Sequence, residues 1–184
     1  MLSARVRITS AVWSLALVSL LGFGCGSAEN SDDQTPGCSE TLDLCTGEQI
    51  CVAGTCEAAF PRVYTLRVEM VQYPPMDPAA NDCWDIPCSP PDPFFAVEVN
   101  GQDVGRTEAV QDQNAVVVTA SFDVSLIAGA TLIAGLIDED IAEDDVIGAC
   151  RLNPVTPELL RGRVMSCMAS AGAFSMRFRL DPKQ

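Results

Sequence analysis

The residues with most chemistry to offer in this chain are carboxylates, and they gather in two stretches. The first carries Asp77, Asp82, Asp85 and Asp92 among prolines. The second runs Asp138-Glu139-Asp140-Ile141-Ala142-Glu143-Asp144-Asp145. Converging carboxylates repel one another and stay ionised together most easily when a cation neutralises them. A hard divalent ion takes roughly six to eight oxygens, and calcium accepts irregular arrangements of short Asp side chains better than magnesium does. The bland alternative is a solvated acidic loop. An EF-hand is excluded, because with Asp138 as its first position the turn glycine would fall on Glu143 and the bidentate glutamate on Ala149.

The elements that must position these loops are short strands. Tyr64, Leu66, Val68 and Met70 alternate with Thr65, Arg67 and Glu69, a period of two that predicts a half-buried strand. Phe95, Val97 and Val99 repeat the pattern, and Asn100-Gly101 predicts a tight hairpin into the next strand. Further strands are expected over 103–110, 116–124, 131–137, 146–152, 163–168 and 174–180. Only 156–161 reads as helix, with Pro157 suited to its first position. Eight strands with frequent turns predict an all-β, antiparallel sandwich over residues 63–184.

The order of features resembles a C2 domain, the calcium-dependent lipid-binding β-sandwich. Asp92-Pro93-Phe94-Phe95 is similar to that family's Asp-Pro-Tyr/Phe-Val lead into a strand, and Arg106-Thr107 to its basic-Thr pair. Asp138-Glu139-Asp140 followed by Asp145-Val146-Ile147-Gly148 resembles its Asp-x-Asp…Asp-x-x-Gly loop, and 174–180 its closing strand. The resemblance implies an eight-stranded C2-like sandwich with Ca2+ held by Asp85, Asp92, Asp138, Asp140 and Asp145. Asp138 and Asp140 would bridge metals, with Asp92 facing them. Asp82 is the alternative to Asp85, and Asp144 to Asp145. The family's Asn-Pro-x-Trp-Asn-Glu stretch is replaced by Asn114-Ala115-Val116-Val117. No polybasic strand is visible, and Trp84 and Ile86 are the first loop's candidates either for insertion into lipid or for packing inside.

Cysteines and charge place the chain. Arg5 and Arg7 precede an apolar run from 11 to 23, too short to span a membrane as a mature helix, and Gly22-Phe23-Gly24 stand before Cys25. This resembles a bacterial lipoprotein signal, with Gly22 where that family usually places Leu. It implies a signal peptide at 1–24, a lipidated Cys25 and a tether to residue 37. The expected location is the bacterial cell envelope, as an outer membrane lipoprotein. Nine cysteines leave eight to pair once Cys25 is set aside. Cys38, Cys45, Cys51 and Cys56 crowd into a segment, 38–60, too short to enclose a core, which predicts a disulfide-rich stalk whose pairing the spacing leaves open. Zinc is the minor alternative there. Cys83 with Cys88 is expected to close a local loop, and Cys150 with Cys167 to join two strands.

Residues 25–184 carry nine Lys and Arg against 25 Asp and Glu, a balance of −16. That charge argues against nucleic acid. Histidine is absent, which removes the commonest general base and the commonest zinc ligand, and no nucleophile elbow is present. The sequence therefore predicts no enzyme. It predicts a membrane-anchored lipoprotein whose calcium-binding domain takes lipid, polysaccharide or protein. The alternative is a structural or adhesive surface module in which calcium is absent or only stiffens loops.

Overall fold

A computed structural model describes residues 38–39, 41–74, 76, 84, 89–111, 120–140, 144–168 and 174–184, which all fall in one compact unit, Thr35–Gln184. Cys25, Asp82, Cys83, Asp85 and Cys88 lie outside the described residues. Two four-stranded antiparallel sheets form the body. In chain order the strands are β1 (Gln49–Val52), β2 (Thr55–Ala58), β3 (Arg62–Gln72), β4 (Pro93–Val99), β5 (Gln102–Arg106), β6 (Ser121–Leu126), β7 (Leu132–Asp138), β8 (Asp145–Leu152), β9 (Val164–Met168) and β10 (Ser175–Pro182). One sheet runs β6-β3-β10-β9, the other β5-β4-β7-β8, and β1 pairs only with β2. The eight expected strands correspond to β3 to β10, although β5 ends at Arg106 rather than at 110 and residues 116–119, expected in β6, lie outside the described residues. Among the described residues the one helix, α1 (Pro157–Gly162), sits at the expected place.

Period-two patterning decides which side chains go inside. Tyr64, Leu66, Phe178 and Leu180 of one sheet meet Phe95, Val97, Leu132 and Leu136 of the other in one buried cluster. Each such aliphatic or aromatic side chain gains about 1.5–3 kcal/mol from leaving water. Asn100 and Gly101 take positive φ (54° and 74°), the geometry a two-residue hairpin needs, and Asn100 Oδ1 accepts the Thr131 N–H at 2.9 Å. Thr156 caps α1 through its hydroxyl, which accepts the Leu159 N–H, with Pro157 following in the first turn.

The disulfide-rich segment is a hairpin laid against the sandwich. Cys38–Cys51 and Cys45–Cys56 cross-link it, while Ile50, Val52 and Ala59 share the main core. Tyr64 donates its hydroxyl to the Ala59 carbonyl at 2.7 Å, and Arg161 donates to the carbonyls of Gly47 and Gln49. A third disulfide, Cys150–Cys167, joins edge strands β8 and β9 of the two sheets, as expected.

Gly148 on β8 has a packing reason. A Cβ at that position would lie 2.3 Å from the ring of buried Phe174, so the aromatic ring rests on bare backbone. We expect Gly148→Ala to cost about 1–3 kcal/mol through overpacking. Denaturant unfolding checks this, and adding Phe174→Leu should return part of the loss.

Candidate metal centre

Three neighbouring strands end in aspartate or beside it. In the register of the second sheet, Asp138 at the end of β7 stands opposite Pro93 on β4 and opposite Asp145 on β8. Asp92 precedes Pro93, and a residue before proline is held extended. Pro93 itself is tolerated because it opens its strand. The Glu139 N–H donates to the Asp92 carbonyl at 3.1 Å, continuing the β4–β7 pairing one step past Asp138. A register shift at Leu136/Ile137 lies just before this end of the β7–β8 ladder, where bulges commonly re-aim side chains.

Asp138 differs from its neighbours. Its side chain is fully buried (0% exposed), and its Oδ1 accepts the backbone N–H of Asp92 at 2.6 Å. Such a charge-assisted bond is about twice as strong as a neutral one. It ties the end of the first acidic loop to the start of the second. Asp92 and Asp140 are half-buried, while Asp144 and Asp145 are exposed. Asp144 Oδ1 accepts the Asp140 N–H at 3.3 Å, joining the two described ends of the second loop.

The sequence reading passed over Tyr73. It is buried just beyond the end of β3, and its phenol pKa is pushed up to about 12, first by burial and then by the charge of Asp138. Its only sequence signal was its place at the close of the alternating pattern of β3. Trp84 is also buried, with its indole N–H donating to the Pro74 carbonyl at 3.1 Å. Of the two roles open to it, the structure selects packing inside. The Arg106-Thr107 pair gains a physical account as well. Thr107 Oγ1 accepts the Phe95 N–H at 2.9 Å, and the Arg106 guanidinium lies 5.4 Å above the Phe94 ring.

Four of the five expected ligands are therefore described, and they meet at one end of the sandwich. Their donors are the hard oxygens calcium prefers. Among the described residues, however, no three carboxylates bring oxygens within 4.8 Å of one another. The cysteine sulfurs that do cluster, Cys38, Cys45 and Cys56, are held in disulfides and offer no thiolate. The acidic end is thus assembled as a frame of strand ends rather than as a closed cage.

This architecture is the fold of a C2 domain. The chain is similar to the calcium-bound tandem C2 domains of extended synaptotagmin 2, with a TM-score of 0.52 and 16% identity over 66% of this chain and 45% of that one. It is similar also to human GIVD cytosolic phospholipase A2, with a TM-score of 0.51 and 18% identity over 66% of this chain but 16% of that one. The chain accordingly spans less than half of either protein, and the likeness is one of fold. No protein-family model and no curated protein matches the sequence.

The clamp makes a specific prediction. Asp138→Asn retains an acceptor for the Asp92 N–H, whereas Asp138→Ala strands it. The alanine variant should be less stable than the asparagine variant by about 1–3 kcal/mol. In alkaline absorbance titration, both should bring Tyr73 down from about 12 but leave it above 10, because burial is the larger cause of its shift. Equal stabilities with an unmoved tyrosine would contradict this geometry.

Proposed function

We propose that this chain is an exported, lipid-anchored binding module whose acidic loop end takes up calcium and uses it to engage lipid, polysaccharide or protein. The observation that carries the reading is the meeting of Asp92, Asp138 and Asp145 at adjacent strand ends, with Asp140 and Asp144 on the loop between two of them. Calcium would supply the positive charge that lets such carboxylates stay ionised side by side. Asp92, Asp138, Asp140 and Asp145 are the residues that would hold it, joined by Asp85 of the first loop. Asp138 is already fixed by its bond to Asp92, so binding would chiefly order the side carrying Asp140 and the exposed Asp144 and Asp145. Less ordering means less entropy lost on binding.

A likeness in fold to domains with a calcium-bound form supports this reading, as does a charge balance suited to cations rather than polyanions. Three disulfides among the described residues fit an oxidising compartment outside the cytoplasm, the setting that anchorage through Cys25 requires. The same buried clamp favours one further role for calcium, the stiffening of loops in a structural or adhesive module. A ligand that binds only in the presence of calcium separates the two.

Calorimetry on the mature chain with Cys25→Ser tests the metal. We expect saturable calcium uptake by about millimolar concentration and a rise in Tm. Asp140→Asn with Asp145→Asn should weaken uptake about tenfold or more while leaving the Tm in chelator unchanged. Absence of uptake by the unmutated chain would sink the proposal. For the anchor, mass spectrometry of the native N-terminus should find a lipid-modified Cys25; an unmodified cysteine would overturn it.

A further inference from the structure

Several of this acidic chain's few cations gather on one face. Leu66, Val68, Phe178 and Leu180 point into the core, so the alternate residues Arg67 and Glu69 on β3, and Arg177, Arg179 and Asp181 on β10, face outward. The register sets Arg67 directly opposite Arg179. Like charges facing each other across strands are destabilising. A third guanidinium arrives from the turn after α1, where Arg163 takes a positive φ of 56° and buries its side chain. Arg163 Nη2 donates to the Cys51 carbonyl at 2.7 Å, and Nη1 lies 3.8 Å from Asp181 Oδ1. Arg179 Nε is 2.6 Å from the same oxygen, and Arg67 Nε is 4.0 Å from Asp181 Oδ2.

Three guanidinium groups from three elements thus surround one carboxylate, beside a cleft of about 580 Å³ walled by Val52 and Ala53 of the β1–β2 turn. Glu69 adds a second acid, but its carboxylate accepts from Arg177 Nε at 2.8 Å. These six side chains sum to an excess of positive charge, in a molecule whose overall charge is strongly negative. Arginine presents a planar fork suited to oxyanions, and it does so here from several directions at once. A carboxylate offers two oxygens in one plane. A tetrahedral phosphate offers oxygens to all three.

We propose that the cleft between the β1–β2 turn and the outward faces of β3 and β10 binds a phosphate group, gripped by Arg67, Arg163 and Arg179. The site is separate from the acidic loops, and the metal reading has no bearing on it. The phosphate comes either free or on a small soluble molecule, or as the exposed phosphate of a lipid headgroup. Arg163 holds the hairpin and the anion together, whereas Arg67 serves the anion alone, since its side chain is 64% exposed and its contact with Asp181 spans 4.0 Å.

The test uses the mature chain with Cys25→Ser in chelator, so that calcium plays no part. Inorganic phosphate at about 10 mM should raise the Tm, and acetate at the same ionic strength should not. Arg67→Gln should weaken phosphate affinity about tenfold or more, and in phosphate-free buffer it should leave the Tm unchanged or raise it, because it relieves the Arg67–Arg179 repulsion. Vesicles containing phosphatidic acid distinguish the sources: binding that depends on Arg67 assigns a lipid headgroup, and binding of free phosphate without vesicle binding assigns a soluble ligand. Three results would overturn the proposal: no response to phosphate or to vesicles, an equal response to acetate, or an Arg67→Gln chain that is less stable without phosphate yet responds to it fully.

Discussion

A carboxylate buried at the end of a central strand, Asp138, ties together the described strand ends on which the acidic loops sit. Burying a charge costs several kcal/mol unless strong hydrogen bonds offset it. Asp138 obtains such a bond from the Asp92 backbone, and in doing so it joins two acidic loops that would otherwise repel each other. The same residue sits in the ladder between β4 and β8 and raises the pKa of Tyr73. Burial and that charge keep the phenol protonated at neutral pH. The acidic end therefore has a hydrogen-bonded base in Asp138 and Asp92, with Asp144 and Asp145 exposed beside it.

Asp138 has a counterpart in Arg163, the other charged side chain buried among the described residues. One carboxylate organises the loops of the β5-β4-β7-β8 sheet; one guanidinium organises the hairpin against the β6-β3-β10-β9 sheet. Each buried charge thus anchors a different part of the molecule. Acids gather at one end of the first sheet, while Arg67, Arg177 and Arg179 stand among Glu69 and Asp181 on the outer face of the second. Disulfides close the hairpin and tie the two sheets at their β8 and β9 edges, restricting the unfolded chain against the self-repulsion of so acidic a domain.

Much of this was legible in the residues. Alternation exposed the inward faces of β3 and β4, because a half-buried strand must repeat every two positions, and Asn100-Gly101 fixed a hairpin through its tolerance of positive φ. The grouping of Asp92, Asp138 and Asp145 came from the C2 resemblance, and the register places them at adjacent strand ends. Other features depended on information that no short window carries. The facing of Arg67 and Arg179 is a matter of register between segments more than a hundred residues apart, further set by the shift between Arg177 and Phe178. Docking of the cysteine hairpin rests on Ile50 and Val52, two apolar residues in a segment that otherwise reads as an isolated disulfide-bonded stalk. Arg163 looked like an ordinary strand-leading cation until α1 ended on it.

The most direct measurement is residue-resolved amide NMR on the mature chain, first in chelator and then through a calcium titration. The account predicts that the Asp92 N–H is strongly protected from exchange before any calcium is added, and that calcium then shifts the amides of Asp140, Asp144 and Asp145 most. An Asp92 amide exchanging as fast as an open loop, or calcium-induced shifts confined to other parts of the molecule, would contradict it.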